Sequence, residues 1–396
     1  MRRVTAVLAA ALVLCPATGA AASATASTTT TTPAPTVGGE QLAARGLVVD
    51  RPAGVPAPPA FEAASYLLAD LDTGQVLLAK DAHGRYLPAS TLKTLTVLTV
   101  LTTQPQVDPR EVVVADRADL VDGSKVGLDP GSHYTVEQLL QGTMLASGND
   151  TATALARAAG GVPQTVERMQ GVADQLGARD TTVRNPSGLD APGQVTSAYD
   201  LALVARAAMQ LPAFRTLVTT KRVRFPGKEV RGQARSSFQI QNHNRLLYNY
   251  AGTIGVKDGY TVAARWTAIS AVERGGHRYL FTAMRRGESS WRTQAAVLDW
   301  AFRYGPQLQP VGRLVEPGEL DRTGSITGQG RVAAAGRAPA ASLQASSASD
   351  GTLKLVGAGG VVAALLAVVL FALSARARRR QLAVARARRG ARAAGR

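Results

Sequence analysis

Strand-like segments stand at both ends of the block from residue 61 to residue 315, and helical periodicity fills its middle. This distribution constrains the fold more than any other feature. "YLLADLDTGQVLLAKD" opens the block with two apolar runs around Asp72, Thr73 and Gly74, a hairpin signal. "RWTAISAV" and "RYLFTAM" return to strand character late, and "RTQAAVLDWAF" closes with a helix. In the middle, Thr135 and Gln138 make a T-x-x-Q capping box before "VEQLLQGTMLA". Asp150 is expected to cap "TATALARAAGG", which stops at Gly160 and Gly161. Strands from both ends are expected to share one antiparallel sheet covered by helices. The fold class is therefore an α+β three-layer domain rather than a parallel βαβ fold.

The flanks of the block carry address information. Arg2 and Arg3, an apolar stretch from Val4 to Leu14 and small residues after it read as a signal peptide over 1–24. Its apolar core is too short to span a bilayer. Cys15 is the only cysteine, so no disulfide, thiol nucleophile or cysteine-based metal site is expected. Residues 25–60, with "STTTTTPAPT" and "RPAGVPAPPA", read as an extended Thr/Pro-rich spacer. A second low-complexity linker is expected over 316–352. Leu355 to Leu373 is a run of 19 residues without a charge, long enough for one transmembrane helix within 353–374. Nine arginines follow it, a basic tail over 375–396 that predicts a cytoplasmic end and an external catalytic block. Those arginines supply much of the net charge of +17 and suit anionic lipid headgroups, so no nucleic-acid partner is expected.

The chemistry centres on "PASTLK". Leu92, Leu95, Leu98 and Leu101 recur every three residues, so Ser90 and Lys93 lie at the start of a buried helix and share one of its faces. Burial and the positive end of the helix dipole both disfavour the ammonium there. A neutral amine could take the serine proton and activate a poor nucleophile. The bland alternative is an N-capping serine followed by a snorkelling first-turn lysine, because S-x-x-K is a common spacing. Two later segments weigh against that alternative. "LASGNDTA" places Ser147, Gly148 and Asn149 in a tight link between helices, and "IGVKDGYT" puts Lys257, Asp258 and Gly259 on a late strand. Gly259 would let a substrate backbone approach closely. Only seven lysines stand against 38 arginines, so two lysines in such frames are less easily accidental.

S-x-x-K, S-x-N and K-x-G in that order resemble the signature of penicillin-binding proteins and serine β-lactamases. The chain is most similar to the D-alanyl-D-alanine carboxypeptidases of peptidase family S11, of an actinobacterial, membrane-anchored type. The likeness runs from about Phe61 to Phe302 and includes "RYLPASTLK", "LLQGTMLASGNDTATALA", "RNPSGLDAPGQVTSAYDLALVARAAM" and "NHNRLL". The resemblance implies a serine β-lactamase-like domain without a cofactor. It implies Ser90 as the acylated nucleophile, Lys93 as its general base and Ser147 as the proton relay. Asn149 would bind the substrate's peptide, Lys257 its terminal carboxylate, and Gly259 would line the cleft. The oxyanion would meet the Ser90 N–H and that of Tyr260 or Thr261. Peptidoglycan stem peptides are the implied substrates and β-lactams the covalent inhibitors.

One departure stands out. The family places threonine where this chain has Asp258, and an anion there should repel a substrate carboxylate. A catalytically weak wall-peptide sensor on the same fold is the alternative this raises. A β-lactamase would call for an E-x-x-L-N loop, and "ERMQG" at Glu167 lacks its Asn. His83, His133, His243 and His277 lie outside any nucleophile-elbow context and are expected to be structural.

Overall fold

The computed structural model describes residues 36–103 and 107–320. The expected signal peptide, transmembrane helix and basic tail lie outside the described residues. Among the described residues no single helix is long and apolar enough to cross a membrane.

The strands are β1 (Leu47–Val48), β2 (Ala63–Asp70), β3 (Gln75–Lys80), β4 (Val112–Val114), β5 (His133–Thr135), β6 (Arg222–Pro226), β7 (Ser237–Gln241), β8 (Thr253–Thr261), β9 (Arg265–Arg274), β10 (His277–Arg286) and β11 (Gly312–Arg313). The helices are α1 (Lys93–Thr102), α2 (Val136–Met144), α3 (Asn149–Ala158), α4 (Val162–Gln175), α5 (Ala198–Ala208), α6 (Pro212–Thr219), α7 (Leu246–Asn249) and α8 (Trp291–Tyr304). The main sheet runs β1-β3-β2-β10-β9-β8, with β11 also on β3, and its pairings are antiparallel. N-terminal β2 lies directly against C-terminal β10, with Leu67 opposite Thr282. The sheet is thus closed by strands from both ends of the block, as the sequence predicts.

The apolar runs are continuous because both faces of the sheet are covered. Leu67 and Ala69 of β2 face a core shared with α1–α6, whereas Tyr66 and Leu68 face α8 with Leu298 and Trp300. Strand alternation divides the residues between the two layers. β8 is left at the edge of the sheet, with the 3₁₀ turn Ala89–Leu92 packed against it. This contact positions the site.

Three expectations, two about boundaries and one about a cap, are corrected. The segment expected as a free spacer up to residue 60 is packed from residue 36 onward: Leu42 and Val55 are buried, and Trp300 Nε1 donates to the Pro56 carbonyl at 3.0 Å. Composition averages missed two apolar anchors seated on a core that is built elsewhere. At the other end Glu319 is 5% exposed and paired with Arg313, so the packed block reaches residue 320 rather than 315. The Thr135–Gln138 capping box forms. Asp150, however, does not cap α3, whose N-cap is Gly148. Its buried carboxylate instead accepts from the amides of Val126, Gly127, Leu128 and Thr151 at 2.8–3.1 Å.

Candidate active site

Ser90 lies in the 3₁₀ turn that leads into α1, and Lys93 is the first residue of that helix. The leucine stripe buries α1 and carries Lys93 into the core, with none of its surface exposed. Its Nζ donates to Ser90 Oγ at 2.9 Å, to Asn149 Oδ1 at 2.6 Å and to the Ser187 carbonyl at 2.6 Å. None of these partners carries a charge. Burial first, and the nearby Lys257 cation second, hold the Lys93 ammonium well below its ordinary range, against the pull of Asp150. A snorkelling lysine would reach water; this one does not.

The backbone around Ser90 and Ser147 is strained. Ala89 has φ 48° and Ser147 φ 59°, left-handed values that cost a non-glycine residue about 1–3 kcal/mol and cluster at functional sites. Gly188 and Gly259 explain how the turn is held. A Cβ on Gly188 would come within 1.9 Å of the Ala89 carbonyl oxygen, and one on Gly259 within 2.6 Å of the Ser90 nitrogen. The edge strand therefore passes directly beside the Ser90 amide. Tyr260 and Thr261 continue β8 from that point, on the side expected to complete an oxyanion hole.

Ser147 sits in the short α2–α3 link at 5% exposure. Asn149 begins α3, with Oδ1 on Lys93 and Nδ2 on the Asp122 carbonyl at 2.6 Å. The sequence reading made it a ligand for the substrate's peptide; here both ends of its amide are engaged within the protein, where they orient Lys93. Lys257 is 2% exposed, and burial lowers its pKa against the pull of Asp258. Its Nζ donates to the Asp258 carbonyl at 2.8 Å and lies 3.6 Å from Asp258 Oδ1.

Asp258 is one-third exposed and borders a cavity of about 660 Å³. Arg286, at the end of β10, borders the same cavity. It is 2% exposed, burial pushes its guanidinium down to about 10, and its Nε has no partner within the protein. Arg286 and Lys257 thus both border the cavity, two cations whose charge suits an anion there. Sequence reasoning missed Arg286 because one arginine among 38 carries no local signal. It also missed the Ser187 carbonyl, since a backbone acceptor has no residue signature. Of the four histidines, His243 borders the cavity, while His83 and His133 pair with Asp180 and Glu229.

Comparison with known proteins agrees with this geometry. Residues 53–285 match the family model described as peptidase S11, D-alanyl-D-alanine carboxypeptidase. A D-alanyl-D-alanine carboxypeptidase of Mycobacterium tuberculosis is 40% identical over 272 residues, which are 67% of this chain and 90% of that relative. A Bacillus subtilis relative of the same description is 32% identical over 254 residues, covering 61% of this chain and 63% of its own length. Among solved structures, a Mycobacterium tuberculosis D-alanyl-D-alanine carboxypeptidase superposes with TM-score 0.62 at 40% identity over 67% of this chain and 99% of the other. A Streptomyces DD-transpeptidase does so with TM-score 0.58 at 28% identity, over 63% and 99%. A buried S-x-x-K pair, a strained S-x-N link and an edge strand bearing K-D-G, with a family match over more than half its length, make this chain a member of the peptidase S11 family of serine-type D-alanyl-D-alanine carboxypeptidases.

Proposed function

We propose that this carboxypeptidase works through an acyl-enzyme on Ser90, with Lys93 as the base, and releases the terminal D-Ala of stem pentapeptides. The observation that carries the assignment is the fully buried Lys93 amine, hydrogen-bonded to Ser90 Oγ and to neutral groups alone. With the amine neutral, Lys93 accepts the Ser90 proton as Oγ adds to the D-Ala carbonyl carbon. The developing oxyanion lies against the Ser90 N–H and an edge-strand N–H after Gly259. Ser147 passes the proton to the departing nitrogen, while Lys257 and Arg286 hold the leaving group's carboxylate. Water then hydrolyses the ester and returns Ser90 to its starting state. β-Lactams would acylate the same oxygen.

In this reading the catalytic block stands on the wall side of the membrane, anchored by the apolar run at 355–373. The support is the length of that run and the nine arginines after it, which favour a cytoplasmic tail near anionic headgroups. Ser90→Ala should lose covalent labelling by a fluorescent penicillin and keep its thermal transition, because α1 retains its leucine stripe. Undiminished labelling would refute the nucleophile. For the topology, protease added to intact protoplasts should digest the catalytic block and spare a small basic fragment; the converse would reverse the orientation.

A further inference from the structure

His83 makes two hydrogen bonds that a neutral imidazole cannot make together. It lies in the turn after β3, far from the serine chemistry in role, and both of its ring nitrogens are engaged. Nε2 stands 3.0 Å from the Val37 carbonyl, which can only accept, so Nε2 carries a hydrogen. Nδ1 stands 2.8 Å from Asp180 Oδ2, and a second proton must lie between them. A neutral ring beside a carboxylate has one N–H and can close one of these bonds. The His83–Asp180 pair closes both only while it holds two protons, as imidazolium beside carboxylate.

The surroundings favour that state. Burial alone would lower the pKa of the ring, but the hydrogen bond and charge of Asp180, the charge of Asp200 and the Val37 bond together raise it. Asp200 lies on α5, where burial first and Asp180 second push its carboxyl up to about 8. Its Oδ2 accepts from the Asp180 N–H and from Thr181 Oγ1, both at 2.7 Å. On the turn itself, Arg85 donates to the Asp180 carbonyl at 3.3 Å, and Asp81 accepts from the Tyr86 hydroxyl at 2.7 Å. Tyr199 lies against the imidazole, with ring centroids 4.6 Å apart, and Arg313, paired with Glu319, meets its hydroxyl end.

Val37 belongs to a strap over residues 36–48. Leu42 seats the strap in the core, and β1 pairs it with β3. The Gly38 carbonyl accepts the Arg313 N–H at 2.8 Å, which joins the strap to β11. The Tyr199 hydroxyl fastens the same stretch, donating to the Arg313 carbonyl at 2.9 Å and accepting from the Val315 N–H at 3.0 Å. Gly38 has φ 81°, and a Cβ there would collide with the Arg313 carbonyl oxygen and with Tyr199 Oη. Strap and C-terminal segment therefore interlock beside His83.

We propose that His83 is an acid-closed clasp, which fastens the strap at 36–48 to the segment around β11 and releases it at alkaline pH. Below the ordinary histidine pKa of about 6.5 both bonds are made. As pH rises through the raised pKa of His83, one proton leaves. The remaining hydrogen settles on Nδ1, because a bond to a charged acceptor is the stronger one. Nε2 then turns a lone pair toward the Val37 carbonyl, two acceptors face each other, and the end of the strap loses its anchor. The stabilisation is thus present at acid pH and lost as pH rises.

Hydrogen–deuterium exchange of the full-length chain in detergent tests the clasp, read as protection factors so that the intrinsic pH dependence of exchange cancels. Between about pH 5 and about pH 9, on either side of the histidine range, protection of peptides from 36–48 should fall about tenfold. Peptides from β2 and β10 should keep theirs. Asp180→Asn should hold the strap closed at both pH values, because its amide can donate to Nδ1 while the Nε2–H stays on Val37. His83→Ala should leave the strap open at both. Equal protection of the unmutated strap at the two pH values would overturn the clasp, as would a loss shared equally by β2 and β10. An Asp180→Asn strap that still opens at alkaline pH would overturn it too, and that variant decides the case even if His83→Ala fails to fold.

Discussion

Replacing Asp258 by threonine tests how the altered third motif tunes turnover. Asp258 Oδ1 lies 3.6 Å from Lys257 Nζ at the border of the cavity of about 660 Å³. Two unit charges at that separation interact by roughly 4–5 kcal/mol at an effective dielectric of about 20. Asp258 is one-third exposed, and water around it screens most of that value. Lys257 and Arg286, which border the same cavity, offset part of any repulsion on a bound carboxylate. A residual repulsion of about 1.4 kcal/mol is a reasonable remainder, and it corresponds to a tenfold change in kcat/KM. Asp258→Thr should therefore raise kcat/KM for D-Ala release from a pentapeptide about tenfold, chiefly by lowering KM. The advantage should shrink as salt rises, because exposed charges are screened. Steady-state kinetics at two ionic strengths would measure both. An unchanged or lower kcat/KM would refute the reasoning and show that Asp258 aids binding, for instance by holding Lys257 in place.

The buried amine predicts a pH signature. Acylation by penicillin needs neutral Lys93, so its rate should fall as pH drops through the depressed Lys93 pKa. The Lys257 charge helps hold that pKa down, so Lys257→Ala should raise it and move the acidic limb to higher pH; an unmoved limb would refute the coupling. Gly259→Ala should block acylation and destabilise the domain by about 1–3 kcal/mol, because the new Cβ meets the Ser90 nitrogen, Thr267 Oγ1 and Ala89 Cβ at 2.6–3.0 Å. Wild-type labelling by penicillin would contradict that packing. Asp150→Ala should cost about 3 kcal/mol or more in a urea melt, since four amides lose their buried acceptor. A loss below about 1 kcal/mol would mean that water or the loop replaces the carboxylate.

Local patterns were enough for much of this protein. The hairpin at Asp72–Gly74, the Thr135 capping box, the buried stripe of α1 and the late strands β9 and β10 all depend on neighbours within a few residues. Those elements, and the order of the three motifs, were therefore readable before any contact was known. Single anchors in a Pro-rich stretch were not, and Leu42 and Val55 seat on surfaces formed by distant strands and helices. Asp150 looked like a cap because the signal is local, yet three of its four amide partners lie more than twenty residues away. The same reason hid the Ser187 carbonyl on Lys93, the two ends of Asn149, and Arg286 at the mouth of a cavity built from β8, β9, β10 and α7. The sequence by itself determined the order and spacing of the three motifs and which segments become helix or strand, because periodicity and spacing are short-range. Only the tertiary structure decided how deeply Lys93 is buried and which charges gather at the cavity beside Lys257. Desolvation and Coulomb fields sum over atoms brought together from everywhere in the chain.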